Sequence, residues 1–401
     1  MRRAGGARRG RPSARHRRAD AEGRRRADAQ GQGAALRGVL PGPPAPGARV
    51  DGGGRAVSAS LAPTVDLAQA PEAWLSAHPE LSSRLVFRHA AARFAEEDAR
   101  VVFLEADLGG GGDPFEKRHP QRYFNLGICE ATMLDMACGL AHGGHTVIAH
   151  SFAAFGVMRA CEQVRLNLAY ARANVKLVCD YGGVAGAFFG PTHHAIEDLA
   201  VLRAMPNLTV VSPADGLETV QATRAMLAHE GPVYLRLGRN RVTRLDLQRP
   251  PFELGRAALL REGDDVGLLA HGEVGVSVAL DAAKLLEAQG VSARVLNVHT
   301  LKPLDEEAVR ETASRTRLLV TVEEHNVLGG LGSAVCETVC SLDLGRRVLR
   351  VGIQDRYDSR AGSHEALLKG HGLEGGQVAE RILGVLPRTP VFAVGFEPRR
   401  D

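Results

Sequence analysis

The sequence predicts an α/β protein in which two consecutive parallel-sheet α/β domains follow a disordered, basic N-terminal arm. Three observations carry that expectation. Residues 1–55 hold fourteen arginines against four acids, a balance of +10 that leaves −6 over the rest of a chain whose net charge is +4. From about residue 83, apolar helix patterns alternate with short β-rich runs, the rhythm of a parallel sheet covered on both faces. Around Gln248-Arg249-Pro250-Pro251 this rhythm pauses, as at a linker, and then resumes. The expected organisation is an Arg/Gly/Pro-rich extension over 1–80, one α/β domain over 81–247 and a second over 252–392.

Taken in order, Arg84 to Glu97 reads as a helix with Leu85, Phe87, Ala91 and Phe94 on its apolar side. Val101 to Glu105 is a buried strand, followed by a glycine-rich loop at 109–112. Tyr123 to Leu126 is strand-like and ends in Gly127, and three residues on Glu130 opens an apolar helix. Strands follow at 146–150, 175–180, 208–211 and 233–237, with helices at 157–171 and 195–205 between them. Ser212-Pro213-Ala214-Asp215 reads as a helix start with Ser212 as cap and Pro213 at the first helical position. In the second domain, strands at 266–270, 292–298, 318–323 and 347–351 alternate with helices at 274–289, 305–315, 331–341 and 376–386.

Composition narrows the class. A 44% apolar fraction is ample for buried cores, and no apolar run reaches the roughly 18–20 residues of a membrane span. Six scattered cysteines read as reduced core thiols of a cytoplasmic protein, since only Cys336 and Cys340 lie close and no second pair completes a zinc site. The arm lacks the apolar middle of a secretory signal. An arginine-rich arm suits contact with nucleic acid or an organelle transit segment, but an unstructured extension, or an upstream reading of the start codon, accounts for it more simply. There is no G-x-S-x-G, no phosphate-binding G-x-x-x-x-G-K-[ST] and no H-E-x-x-H. Gly329-Gly330-Leu331-Gly332 lacks the full dinucleotide spacing and reads as a tight turn into a helix.

Ligands of open parallel sheets sit beyond the carboxyl ends of the strands. Asp107, Glu130, Phe152, Phe155 and the loop 181–194 all fall there. Glu130 enters its helix among Ile128, Met133, Leu134 and Ala137, so it is expected half-buried, a setting that raises a carboxyl pKa and suits proton sharing. The bland alternative is an acid stabilising a helix N-terminus. Phe152 and Phe155 are either core residues or a platform for a flat ring. His193 and His194 are adjacent, which disfavours a shared metal; one of them at a loop tip suits acid/base or oxyanion chemistry.

Several ordered segments together resemble the transketolase family of thiamine-diphosphate enzymes: ADLG at 106–109, RYFNLGICE at 122–130, SFAAF at 151–155, EQVR at 162–165, GPTHHAIEDLAVLRAMPNLTVVSPAD at 190–215, YLRLGR at 234–239, TLKPLD at 300–305 and EEHNVLGGLGSAV at 323–335. The resemblance covers residues 83 to 392 and implies the pyrimidine-binding domain followed by the transketolase C-terminal domain. It implies a C-terminal subunit of a split transketolase: the family's Gly-Asp-Gly metal and diphosphate motif is absent here, so a partner N-terminal subunit is expected to hold Mg²⁺ and the diphosphate, in an α2β2 assembly. It also implies that Glu130 bonds N1′ of the cofactor's aminopyrimidine, that Phe152, Phe155 and Met158 hold that ring, and that Asp107 lies beside it. Arg84 and Arg239 match arginines gripping a substrate phosphate, and His193 matches a histidine contacting substrate hydroxyls.

The chain departs from the family at the substrate loop. Phe189 stands where an aspartate would read a sugar hydroxyl, and Tyr181 where many members have a histidine. Cofactor activation is expected to be intact and the donor or acceptor altered. A 2-oxo-acid-decarboxylating relative and a non-catalytic partner subunit are the alternative readings.

Overall fold

The computed structural model describes residues 66–79, 81–108, 113–240, 245, 249–359 and 361–386. The arginine-rich arm, the loop 109–112 and residues 387–392 lie outside the described residues. All described residues belong to one compact unit, 57–401.

The Val/Leu-rich runs form strands because β-branched and apolar side chains suit a sheet buried on both faces. In the first domain these are β1 (Val101–Glu105), β2 (Tyr123–Asn125), β3 (Thr146–Phe152), β4 (Val175–Asp180), β5 (Thr209–Val211) and β6 (Val233–Arg236). In the second they are β7 (Ala258–Arg261), β8 (Val266–Ala270), β9 (Ala293–Asn297), β10 (Thr300–Lys302), β11 (Leu318–Asn326) and β12 (Val348–Ile353). Two sheets result among the described residues, in the orders β10-β5-β6-β4-β3-β1-β2 and β12-β11-β8-β9-β7. Both are parallel except at one edge, where β10 and β7 run antiparallel to β5 and β9.

One strand crosses the expected divide. Thr300 and Lys302 of β10 pair with Val211 and Val210 of β5, so a piece of the second domain completes the first sheet. The Lys302 ammonium holds it there through the Arg203 carbonyl at 2.9 Å and the Met205 carbonyl. The main core runs continuously across the two domains, from Met133, Leu134 and Leu177 to Leu269, Leu319 and Val335.

The structure corrects four sequence expectations. Helix Pro71–Ala77 lies inside the stretch assigned to the extension; Trp74 and Leu75 pack against a cluster containing Val86, Phe94 and Val220. The helix expected at 157–171 is wider than α: Ala154–Arg159 and Val164–Tyr170 are π-helical around Cys161–Gln163. The cap of helix Gly216–Ala228 is Asp215, whose carboxylate accepts the Glu218 N–H at 2.9 Å; Ser212 lies before the helix, in a segment tied to the second domain by its N–H bond to the His299 carbonyl at 2.8 Å. The helix expected at 195–205 is shortened to Asp198–Arg203, since Ala195 bridges to Gly183. Among the described residues no helix is long and apolar enough to cross a membrane.

Candidate active site

Glu130 opens helix Glu130–His142 at the carboxyl end of β2. It is buried rather than half-buried, at 1% exposure, over Met133, Leu134 and Ala137, whereas Ile128 points outward at 71%. The partner that the sequence reading missed is Arg159. One guanidinium nitrogen donates to both carboxylate oxygens, at 3.0 and 2.8 Å, while the Arg159 side chain remains 47% exposed.

Arg159 reaches this place from the first π-turn. The Ala160 N–H bonds the Phe155 carbonyl, five residues back, and such widened turns are frequent at functional sites. Gly156 permits the close approach to β4, since a Cβ there would stand 2.7 Å from the Cys179 sulfur. The Arg159 guanidinium lies 4.2 Å over the Phe155 ring. Phe152 and Phe155 are half-buried, with centroids 6.1 Å apart and planes inclined by 53°, so they form a corner rather than one flat platform. Met158 is exposed beside Arg159. Asp107 is exposed at the end of β1 with φ +50°, its N–H donating to Asn125 Oδ1 at 3.3 Å.

The loop after β4 brings aromatic rings to the same place. Tyr181 packs edge-on against Phe152 at 4.5 Å, and Phe189 stacks on His193 at 4.3 Å. His193 in turn meets the edge of Phe155 at 5.0 Å. Partial burial, with the nearby Arg159 charge, lowers the His193 pKa, which keeps the imidazole neutral at neutral pH. Its Nδ1 lies 3.0 Å from the Thr192 hydroxyl.

The two arginines expected together have different environments. Arg239 is exposed; its Nε donates to the Tyr181 hydroxyl at 2.6 Å and its guanidinium lies 4.6 Å over Phe188. Arg84 turns inward, with Nε 3.0 Å from Asp180 and Nη2 donating to the Leu108 carbonyl at 2.8 Å. Burial alone would raise the Asp180 carboxyl, but His150 and Arg84 hold it below the usual carboxylate range.

Beneath the loop lies an ionic frame. Arg236, buried, bonds Asp198 through Nε at 2.7 Å and Nη2 at 3.2 Å, and its Nη2 also reaches the Ala195 and Glu324 carbonyls. The Tyr234 hydroxyl donates to Asp198 at 2.7 Å. From the second domain, Glu324 Oε1 accepts the Val184 N–H at 2.7 Å and stands 2.8 Å from His364 Nε2. Gly183, at φ +69°, makes room for that carboxylate, which a Cβ would meet at 2.5 Å. Among the described residues, no three His, Cys, Asp or Glu side chains converge to hold a metal ion.

This geometry can be set beside known proteins. The model of the transketolase pyrimidine-binding domain matches residues 79–244, and that of the transketolase C-terminal domain matches residues 255–378. The chain is 44% identical, over 66% of its length and 82% of the relative's, to the 6-deoxy-6-sulfo-D-fructose transketolase subunit SqwH of Clostridium sp. (strain MSTE9). The chain belongs to the transketolase family. Another relative in that family is the putative transketolase C-terminal section of Methanocaldococcus jannaschii, 38% identical over 71% of this chain and 89% of that one. Among solved structures, a split-gene transketolase described as an inactive beta4 tetramer superposes with a TM-score of 0.70 at 38% identity, covering 76% of this chain and 98% of the other. The transketolase resemblance read from the motifs thus extends to sequence, domain order and fold.

Proposed function

We propose that this chain is the C-terminal subunit of a two-component, thiamine-diphosphate-dependent transketolase. The residues fit an aminopyrimidine: a buried carboxylate with one half-exposed partner, flanked by two aromatic rings and an exposed thioether. When bound, thiamine diphosphate supplies the acidic carbon and electron sink that this chemistry needs. In the reaction as a whole, the C2–C3 bond of a ketose donor breaks, the shortened aldehyde leaves, and the two-carbon ketol unit bonds to the carbonyl carbon of an acceptor aldehyde.

The observation that carries this reading is the buried Glu130 carboxylate, bonded by Arg159 alone among the described side chains and linked through that guanidinium to the Phe155 ring. Glu130 would hold the proton at ring nitrogen N1′, displacing or sharing Arg159. Phe152, Phe155 and Met158 would orient the ring, with Asp107 beside it. The neutral imidazole of His193 would take or give a proton at a substrate hydroxyl. Arg239, Tyr181 and Phe189 would line the substrate, while Arg84 would act from behind Asp180. A partner N-terminal subunit would hold Mg²⁺ and the diphosphate, in an α2β2 assembly.

Reconstitution tests the reading. The chain, purified with its partner subunit, Mg²⁺ and thiamine diphosphate, should transfer two-carbon units between ketoses and aldehydes. Glu130→Ala should lower kcat by about 10²-fold or more while leaving the mass of the complex unchanged. Full activity in that variant would make the chain a scaffold instead.

A further inference from the structure

We propose that the acceptor used at this site is an aldehyde whose distal portion is apolar and ends in a single anionic group, recognised by Phe188, Phe189 and Arg239. The inference deepens the transketolase reading and rests on it.

The stretch 185–189, whose Phe189 meets Phe152, lacks what a polyol needs. Ala185-Gly186-Ala187-Phe188-Phe189 carries no side-chain donor or acceptor, and a hydroxyl set against such a wall loses its hydrogen bonds to water without replacement. Phe188 and Phe189 are instead 50% and 45% exposed, with centroids 4.1 Å apart. Through the Phe189–His193 stack and the His193–Phe155 edge contact, a line of ring contacts runs from Phe155 to Arg239, its one polar member the His193 imidazole nearest the Phe155 end. Its backbone is supported from behind: the Gly362 N–H of the second domain donates to the Ala187 carbonyl at 3.1 Å.

Among the described residues, the outward cation in contact with Phe188 is Arg239. Arg239 is aimed by its Nε bond to Tyr181 and its stacking on Phe188, and its two terminal nitrogens have no hydrogen-bond partner among the described residues. Arg84, the second candidate cation, is neutralised by the buried Asp180 and bonded to the Leu108 carbonyl. One outward guanidinium at the end of an aromatic shelf complements a carboxylate or sulfonate on an apolar body better than it does a phosphorylated polyol.

The test uses the complex with its partner subunit, Mg²⁺ and thiamine diphosphate, and hydroxypyruvate as donor, which delivers the two-carbon unit with loss of carbon dioxide. The acceptors are 3-formylbenzoate, benzaldehyde and ribose 5-phosphate. The expected result is a kcat/KM for 3-formylbenzoate at least about tenfold above either of the others. Phe188→Ser with Phe189→Asp should move the ratio toward ribose 5-phosphate by about tenfold, and Arg239→Gln should collapse the difference between 3-formylbenzoate and benzaldehyde. A preference for ribose 5-phosphate in the unmodified complex, or ratios that none of these changes moves, overturns the proposal. So does dissociation of the complex on replacing the two phenylalanines, which would make the shelf a subunit interface. No carbon dioxide release with any acceptor overturns the transketolase reading itself.

Discussion

One nitrogen of Arg159 donates to both carboxylate oxygens of Glu130, and the same guanidinium lies over Phe155. The pair sits where helix Glu130–His142 meets the first π-turn, so it joins two elements as well as two charges. Arg159→Met removes the donor and leaves a buried carboxylate without a described partner. The expected cost is about 1–3 kcal/mol, reduced by the solvent that reaches Arg159. Thermal unfolding of Arg159→Met, Glu130→Gln and the double variant checks it, with a coupling energy of about 1 kcal/mol or more expected from the cycle.

The Arg236–Asp198 pair is fully enclosed beneath the substrate loop. Arg236→Leu strands the Asp198 carboxylate in the core, where the Tyr234 hydroxyl and His325, 3.8 Å away, remain. A loss of about 3–5 kcal/mol is expected, measured by chemical denaturation. Asp198→Asn should cost less than Arg236→Leu, because an amide keeps one acceptor toward Arg236.

Two buried glutamates should each contribute less stability as pH rises toward neutrality. Burial pushes the Glu273 carboxyl up to about 7, and Glu218, also buried, is pushed up to about 7. A folded-state pKa above the unfolded value contributes stability that is complete below about 4.5 and is lost as pH climbs through about 7. Glu273→Gln removes one of these groups. The variant should match the parent near pH 4.5 and exceed it by about 2–3 kcal/mol above pH 7. Parallel unfolding profiles of the two proteins across pH 4.5 to 8 would contradict the assignment.

Gly183 should not tolerate a side chain. Alanine there meets both a left-handed backbone conformation and the Glu324 carboxylate, which would be forced off the Val184 N–H. Gly183→Ala should destabilise by at least about 1–2 kcal/mol. Because the displaced loop carries Tyr181 and Phe189, KM for the acceptor should rise as well, a change that steady-state kinetics on the reconstituted complex would register.

Much of the site was legible because its chemistry lies in short stretches at strand ends. Glu130 stood out as an acid entering an apolar helix, and Phe152 and Phe155 as aromatics one turn apart at a strand end. Arg159 did not stand out, because its link to Glu130 spans 29 residues and depends on a π-turn that side-chain periodicity does not mark. The inward turn of Arg84 was hidden for a similar reason: its partner Asp180 sits at the end of a strand far along the chain, where an acid reads as an ordinary loop entry. At 212–215 the local pattern pointed to Ser212 as the cap, whereas the helix begins three residues later, at Gly216, and Asp215 caps it.

By itself the sequence determined the alternation of strands and helices, the pause near residue 250 and the kinds of side chain at the strand ends, because local periodicity and turn chemistry are written in neighbouring residues. The tertiary structure alone decided that β10 joins the first sheet, that Arg159 rather than solvent meets Glu130, and that Arg239 lies over Phe188 at the edge of the aromatic shelf. Those outcomes come from hydrogen bonds and charge pairs between distant segments, whose partners are chosen by burial when the chain closes on itself.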